Sequence, residues 1–305
     1  MVEKEMTEEE RWDQGVSTEQ TKVRKFVFED EAGVDLGIMY LDLHPREGKY
    51  SHAAHFTVRC GCALDPDGGA YQVPIVALVC NMSPPEGNPW LNHAEVETLF
   101  HEFGHGLHSL LSRTTFQHVS GTRAAMDFVE TPSHLFEQYA WDPAFLKILG
   151  RHYVTGESIP DDLISRLNKS RNAFRCIEVQ NQILYSRFDQ ALFGIPDDKS
   201  RSTTEMFAAL YHENGIPYAP GTHWHSRFSH LVTYGAGYYG YLYAQVFASD
   251  IWGRVLMNDS LDRQAGDLIW REVLVHGGAK DPNVMLRTVL GRAPSGDTFF
   301  ASMKV

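Results

Sequence analysis

The feature that most constrains this chain is a single HExxH pattern, formed by His101, Glu102 and His105. Residues four positions apart lie on one face of a helix, so both imidazoles can reach the same point. Neutral imidazole suits Zn²⁺, and a catalytic zinc keeps one coordination position for water. Zinc lowers the pKa of that water toward about 7, and a neighbouring glutamate can take its proton during attack on a carbonyl carbon. We therefore expect the fold to be organised around a helix that carries a zinc site.

The residues around the pattern predict a helix from Glu95 to Leu111. Apolar residues recur along it at helical spacing, at Val96, Leu99, Phe100, Phe103, Leu107, Leu110 and Leu111. Asn92 can cap its first turn. Gly104 and Gly106 would each cost a helix about 1 kcal/mol relative to alanine, which suggests that another element approaches closely there. An ordinary helix with surface histidines is the alternative, but both histidines lie inside the apolar stretch.

A third protein ligand is needed to complete a zinc site, and two patterns could supply it. The pattern that adds a glycine and a third histidine after HExxH fails, because His108 and Leu111 occupy those positions. A carboxylate on a following helix is the other possibility. Glu130 opens the helical run from Glu130 to Trp141 and is the candidate.

Three further polar residues lie near these candidates in the sequence. Glu97 precedes His101 by one helical turn and could accept a hydrogen bond from a ligand imidazole. An ordinary solvated charge is the alternative for Glu97. We expect His108 and His134 to pack against the site or support its ligands rather than bind the metal.

Composition and charge limit the class of protein. The chain has 305 residues, of which 43% are hydrophobic and 22% charged, and a net charge of −12. This charge argues against nucleic-acid binding, although solubility alone accounts for most of it. No apolar run approaches the roughly 18 residues that a membrane helix needs, and no partner protein is predicted.

The cysteines and the first residues bear on the compartment. Cys60, Cys62, Cys80 and Cys176 fit no zinc-finger spacing, and the first two are too close for an easy disulfide. Reduced thiols in an intracellular compartment are the simpler interpretation. The acidic, polar stretch from Met1 to Arg11 resembles neither a secretory signal nor a transit peptide.

The order of predicted elements indicates an α+β fold that is mostly α. Residues 1–22 are expected to be disordered or frayed, and residues 23–305 to form one catalytic domain with a sheet at 23–82 and helices at 92–305. The predicted sheet is small and mostly antiparallel, with strands at Val23–Phe28, Leu36–Leu43, His55–Cys62 and Pro74–Asn81. Pro84–Pro89 ends it. Helices are predicted at about Glu130–Leu149, Asp161–Asn168, Ala173–Phe193, Thr203–Glu213, Tyr239–Met257, Leu261–Val275 and Pro282–Leu290.

A second group of chemically useful residues lies between Gly221 and Tyr241. Gly235, Gly237 and Gly240 give this loop freedom to move, and tyrosines and histidines alternate with them. A tyrosine hydroxyl or a protonated histidine can donate to the oxyanion of a tetrahedral intermediate. An aromatic loop packed on the helices fits the same pattern, and the residues alone leave both interpretations open.

With both regions considered, the sequence resembles the thimet oligopeptidase family of zinc peptidases and is most similar to the mitochondrial intermediate peptidase branch. The motifs that carry this resemblance are Phe100–His105, Ser120–Arg123, Asp127–Ser133 and Phe228–Tyr239, together with Tyr40–Leu43, Arg46–Lys49 and Gly277–Pro282.

The resemblance implies a role for each matching residue. One zinc per chain would be held by His101, His105 and Glu130, with Glu102 as general base. By the same reasoning His230 and Tyr238 or Tyr241 would stabilise the oxyanion. Tyr234, beside Gly235, would contact the substrate.

The resemblance also implies an activity. It predicts a zinc metalloendopeptidase with a zincin helix that acts on short peptides or removes a short N-terminal peptide from imported precursors in the mitochondrial matrix. A general cytosolic oligopeptidase and a non-catalytic zinc- or peptide-binding fragment are the alternatives. Family members carry a long helical region ahead of the sheet, which this sequence lacks. We therefore expect a fragment with the catalytic half, an incomplete gene model or a shortened form.

Overall fold

The computed structural model describes residues 1–13, 15, 18, 21–65, 69–82, 90–194 and 202–303. A sheet comes first in the chain, and almost everything after it is helical. The predicted α+β class, with a small, mostly antiparallel sheet ahead of the helices, is confirmed. In the described part of the chain, no helix is long and apolar enough to cross a membrane.

In the described ranges, seven strands form two sheets. They are β1 (Val2–Lys4), β2 (Arg24–Glu29), β3 (Asp35–Asp42), β4 (Ala54–Arg59), β5 (Cys62–Ala63), β6 (Tyr71–Gln72) and β7 (Ile75–Val79). The main sheet has the order β1-β2-β3-β7-β4, and only the β3–β7 pair is parallel. β5 and β6 form a separate two-stranded sheet, so the predicted strand His55–Cys62 is divided. β4 lies at one edge of the main sheet.

The N-terminal segment differs from the prediction of a frayed end. Val2 pairs with Val27 as part of an antiparallel ladder between β1 and β2. Trp12 Nε1 donates a hydrogen bond to Asp42 Oδ2 at 3.0 Å, which fastens this segment to the end of β3. Residues 1–13 contain few apolar residues, so the sequence did not predict a strand there. β1 forms because it pairs with β2, and its own residues have little tendency to form a strand.

Asp42 is the centre of a buried charged cluster. Arg46 Nη1 lies 2.6 Å and Lys49 Nζ 2.9 Å from Asp42 Oδ1. Burial by itself would raise the pKa of Asp42, but hydrogen bonds from Arg46, Trp12 and Lys49 outweigh it and hold the pKa below its usual value. The ionised carboxylate therefore stabilises the turn after β3.

Eleven helices are found in the described residues. They are α1 (His93–Leu111), α2 (Thr131–Glu137), α3 (Pro143–Leu149), α4 (Asp161–Asn172), α5 (Arg175–Phe193), α6 (Thr203–Glu213), α7 (His230–Thr233), α8 (Tyr239–Ile251), α9 (Arg263–Glu272), α10 (Pro282–Leu290) and α11 (Asp297–Ala301). The sequence did not predict the short helices α7 and α11. The predicted end of the sheet at Pro84–Pro89 lies outside the described residues.

The predicted helix Glu130–Leu149 is divided into α2, a 3-10 turn at Gln138–Trp141 and α3. Asp142 interrupts it, because its backbone is extended and its side chain caps the next helix by accepting from the Phe145 N–H at 2.9 Å. Pro143 then occupies the first position of α3, where its missing N–H costs nothing.

α1 begins and packs as its sequence indicates. Asn92 and Glu95 form a capping box at its first turn. A Cβ at Gly104 would lie 2.7 Å from the Cα of Ser133 in α2, and one at Gly106 would lie 2.5 Å from Met39 Cε in β3. The two glycines therefore let α1 approach α2 on one side and the sheet on the other.

Four apolar clusters are found among the described residues, and three of them pack the helices and the sheet around the site. Leu110 of α1 packs with Met39, Val76 and Leu78 of the sheet. α5 and α6 share a cluster of Leu184, Phe188, Phe207 and Leu210. The largest cluster joins the start of α2 to α8, α9 and α10, and includes Phe128, Leu135, Ile251, Ile269, Met285 and Leu286. The part of the Gly221–Tyr241 segment that precedes α8 is called the aromatic loop. Because α8 packs against α2, this loop lies beside α1 and α2.

Candidate metal centre

α1 and the residue that precedes α2 bring three possible metal ligands together. His101 Nε2 lies 3.3 Å and His105 Nε2 lies 3.0 Å from Glu130 Oε2. A ligand atom from each of these residues lies within 4.8 Å of the others. The spacing of the histidines on α1 and the close approach of α2 at Gly104 produce this convergence.

Glu130 is held in place by its neighbours. Ser133 Oγ donates to Glu130 Oε2 at 3.1 Å and Tyr234 Oη donates to Glu130 Oε1 at 3.4 Å. Burial by itself would raise the pKa of Glu130, but hydrogen bonds from His101 and His105 outweigh burial and hold the pKa well below its usual range. The carboxylate is therefore anionic, as a metal ligand must be.

The chemistry of these donors fits a zinc ion. Two imidazole nitrogens and one carboxylate oxygen are a donor set found in catalytic zinc sites. The three donor atoms face one another in a largely buried site, whereas charged side chains such as glutamate are rarely buried unless they have a partner. His101, His105 and Glu130, predicted as ligands, are thus brought to one point.

The orientation of His101 comes from Glu137, not from the predicted Glu97. His101 Nδ1 lies 2.6 Å from Glu137 Oε1, and the same carboxylate accepts from His134 Nδ1 at 3.0 Å. Glu97 Oε1 instead accepts from Trp141 Nε1 at 2.6 Å. The structure therefore corrects the position assigned to Glu97. Glu137 follows Glu130 by two helical turns, and this spacing is the signal that could have identified it.

Glu102, the predicted general base, is buried beside the histidines, with 6% of its surface exposed. Burial raises the pKa of Glu102, electrostatic interactions with His101 and His105 oppose this shift, and the Glu130 carboxylate adds to it. A backbone hydrogen bond from His55, in β4, opposes the rise without reversing it. The carboxylate thus lies between α1 and the edge strand of the sheet.

Two further histidines lie close to the ligand group: His108 of α1, which is buried, and His55 of β4, which is half-buried. His108 is fully buried, and neither ring nitrogen has a hydrogen-bond partner among the described residues. Burial lowers the pKa of His108 and of His55 to about 3, so both rings are neutral. The His55 ring centroid lies 6.1 Å from that of His105, which places β4 directly beside the ligand group.

The aromatic loop reaches the ligand group through Tyr234 and Tyr241. The two rings are 5.1 Å apart, and the Tyr234 hydroxyl donates to Glu130. Burial, followed by the interaction with the Tyr234 hydroxyl, raises the pKa of Tyr241. The His230 ring lies 5.6 Å from the Tyr241 ring, and burial lowers the pKa of His230. A neutral His230 retains one N–H donor.

Two other predicted residues of this loop lie differently. Tyr238 is 8% exposed, and its hydroxyl donates to Gln182 Oε1 at 2.8 Å. Of the two tyrosines offered for the same role, Tyr241 is therefore the one that lies against Tyr234, which donates to Glu130. Gly235 is exposed, and a Cβ there would lie 3.0 Å from the ring of Phe193. The sequence could not separate these tyrosines, because both lie within a few residues of Gly237 and Gly240.

The fold and this site define a class of protein. A helical HExxH pattern whose imidazoles meet a carboxylate from a second helix is the arrangement found in metallopeptidases. The chain belongs to peptidase family M3, whose model matches residues 4–305. The resemblance seen in the sequence is therefore confirmed.

Relatives and solved structures agree with this family. The chain is 49% identical over 261 residues to the mitochondrial intermediate peptidase of Arabidopsis thaliana, covering 85% of this chain and 37% of the relative. It is 39% identical over 284 residues to the human mitochondrial intermediate peptidase, covering 92% and 39%. The chain thus spans less than two fifths of the length of either relative. The crystal structure of BsuCP, 16% identical, has a TM-score of 0.54 and covers 87% of this chain and 53% of that protein, which shows a shared fold.

Proposed function

We propose that this chain is a zinc-dependent metalloendopeptidase that cleaves short peptides or the N-terminal segments of precursor proteins. The observation that most supports this proposal is the convergence of His101, His105 and Glu130 beside the buried Glu102. These three residues would hold one zinc ion. Bound there, zinc would supply Lewis acidity that lowers the pKa of water and polarises the carbonyl of the scissile bond.

Glu102 is the general base in this proposal. Its carboxylate accepts a proton from the attacking water and passes it to the nitrogen of the leaving amine. Its burial supports this role, because a carboxylate removed from bulk water makes a stronger hydrogen bond to a single bound water.

The aromatic loop would bind the other side of the reacting group. The His230 N–H and the Tyr241 hydroxyl are proposed to donate to the carbonyl oxygen as negative charge develops on it. Tyr238, tied to Gln182, would support the loop. Tyr234 and Gly235 are proposed to contact the substrate.

The edge of the main sheet offers a binding mode for a peptide. β4 pairs only with β7 among the described strands, so its other edge is open to a further strand, and the His55 N–H on β4 bonds Glu102. Because His55 lies beside His105, an extended peptide added to β4 would pass directly over the ligand group. The backbone of β4 would bind the peptide regardless of its sequence, and neighbouring side chains would select among residues.

The names of the relatives support a mitochondrial location for this activity. Two relatives are named mitochondrial intermediate peptidases. We propose that the substrates are N-terminal segments of mitochondrial precursors and that the matrix is the site of action. A general cytosolic oligopeptidase would instead act on short peptides without regard to their origin.

The test is the cleavage of quenched fluorescent peptides by the wild-type chain and by Glu102→Gln. We expect the variant to bind zinc normally and to lose at least about 100-fold in kcat, since it cannot accept the proton. Normal turnover by the variant would refute the mechanism. Precursor N-terminal peptides and scrambled peptides of the same length are compared in parallel. Equal cleavage of both would favour the general oligopeptidase, and zinc binding without any cleavage would favour a non-catalytic fragment.

A further inference from the structure

Asp189 is a buried carboxylate that the proposed reaction does not use. It lies in α5, has no exposed surface, and contacts the aromatic loop through both of its oxygens. The backbone N–H of Ala236 donates to Oδ1 at 2.9 Å, and that of Tyr238 donates to Oδ2 at 3.0 Å. Both bonds lead to the loop, although Asp189 and the loop are far apart in the sequence.

The loop has a strained backbone at the same place. Ala236 has a φ of 61°, in the left-handed region that glycine adopts freely and other residues avoid. This conformation costs an alanine about 1 kcal/mol. The carbonyl of Ala236 accepts from Gln190 Nε2 at 2.8 Å. Adjacent residues of α5 thus hold both the N–H and the C=O of the strained residue.

A carboxylate is better suited to this position than its amide. Burying a charge is costly unless it is paired or hydrogen-bonded, and each oxygen of Asp189 accepts from a loop N–H. Asparagine has only one oxygen acceptor, so its amide NH₂ would face one of these N–H groups. A neutral side chain would therefore release one end of the loop and leave a buried donor unpaired.

The conformation of this loop determines where its tyrosines lie. Tyr234 precedes the strained residue and donates to Glu130, and the Tyr241 ring lies 5.1 Å from the Tyr234 ring. Tyr238 is held by Gln182, another residue of α5. A shift of the backbone at Ala236 would move the Tyr234 hydroxyl away from the ligand group.

We infer that Asp189 is a positioning residue: it holds residues 234–238 in the strained conformation that places Tyr234 and Tyr241 at the reacting group. This inference rests on the proposed function for its catalytic consequence. The restraint on the loop is a separate, structural claim, and it can be measured without any activity.

The test compares Asp189→Asn with a matched control, Asp250→Asn. Asp250 is also fully buried, and accepts from Arg292 Nη1 at 2.8 Å and from the Ser295 N–H at 2.7 Å, so it holds a different segment. A milder variant, Gln190→Ala, removes the bond to the Ala236 carbonyl from an exposed side chain and keeps the test available if Asp189→Asn does not fold.

The first measurement is amide hydrogen exchange, resolved by segment, without substrate. We expect Asp189→Asn and, more weakly, Gln190→Ala to accelerate exchange at residues 234–238 and to leave α1 unchanged. Asp250→Asn should leave exchange in that loop at the wild-type rate. Unchanged loop exchange in both Asp189→Asn and Gln190→Ala would overturn the inference.

The second measurement is peptide cleavage. We expect Asp189→Asn to bind zinc like the wild type and to lose about 100-fold in kcat, as misplacement of a catalytic group by about 1 Å does. Asp250→Asn should retain its kcat even if its melting temperature falls. In the double variant with Tyr234→Phe the two losses should not add, because both act through Tyr234; full additivity would contradict the inference. If the wild type itself fails to cleave, the proposed function fails, while the exchange result still judges the restraint.

Discussion

Replacing Glu137 by glutamine should weaken zinc binding more than replacing any other carboxylate that does not itself bind the metal. Glu137 accepts from His101 Nδ1 at 2.6 Å, which fixes the ring so that its Nε2 faces Glu130 and His105. Glutamine keeps the volume and one oxygen acceptor but removes the negative charge. Its NH₂ group would also face a histidine nitrogen, because Glu137 accepts from both His101 and His134.

The expected magnitude follows from the burial of this contact. The Glu137 side chain is 16% exposed, so solvent screens its interaction with His101 only weakly. Loss of such a partner to a metal-binding histidine costs about 10- to 100-fold in metal affinity. This corresponds to about 1.4 to 2.8 kcal/mol of zinc-binding free energy.

The assay is a competition titration of the metal-free chain against a chromophoric zinc chelator. Glu97→Gln is the matched control, since Glu97 lies one turn from His101 on α1 but bonds Trp141 instead. We expect Glu137→Gln to lose affinity and Glu97→Gln to retain it. Equal affinities for Glu137→Gln and the wild type, or equal losses in both variants, would refute the orientation of His101 by Glu137.

Three other outcomes follow from the structure. Glu130→Ala should weaken zinc binding, and unchanged affinity and stoichiometry in a zinc titration would remove Glu130 from the ligand set. Gly104→Ala should lower both the melting temperature and the zinc affinity, since its Cβ would meet the backbone of α2, whereas Gly106→Ala should cost less because its Cβ meets the flexible end of Met39; equal effects would contradict this packing. Because the pKa of Asp42 is lowered in the folded state, its contribution to stability is complete above the unfolded pKa of about 3.9 and is lost as pH falls through the folded pKa. The difference in melting temperature between the wild type and Asp42→Asn should therefore be large at pH 7 and shrink below about pH 4; a constant difference would exclude ionisation of Asp42 as its cause.

The helix at the centre of the site could be predicted because its signals are local. Each signal lies within one helix or on its surface. They are the N-cap at Asn92, the spacing of His101 and His105, and a glycine at position 104, where a close neighbour must pack. Each indicated the same element, and the structure contains it.

Other parts of the site depend on contacts between distant segments. Glu97 lies one turn from His101 on α1, whereas Glu137 lies on α2. Glu137 contacts the His101 ring because α2 packs on α1, and the sequence does not show that packing. Tyr238 and Tyr241 lie three residues apart at the junction of the loop and α8. Their roles differ because the Tyr238 hydroxyl donates to Gln182 of α5, a contact between distant segments. The role of Asp189 is invisible in the sequence, since its two bonds reach backbone N–H groups rather than a recognisable partner.

The measurement that tests the central claim most directly combines metal content with cleavage of a quenched fluorescent peptide before and after chelation. The convergence of His101, His105 and Glu130 predicts one zinc per chain, loss of cleavage when a chelator removes it, and recovery when zinc is added back. A folded chain that binds no zinc, or cleavage that persists in the chelator, would contradict the account.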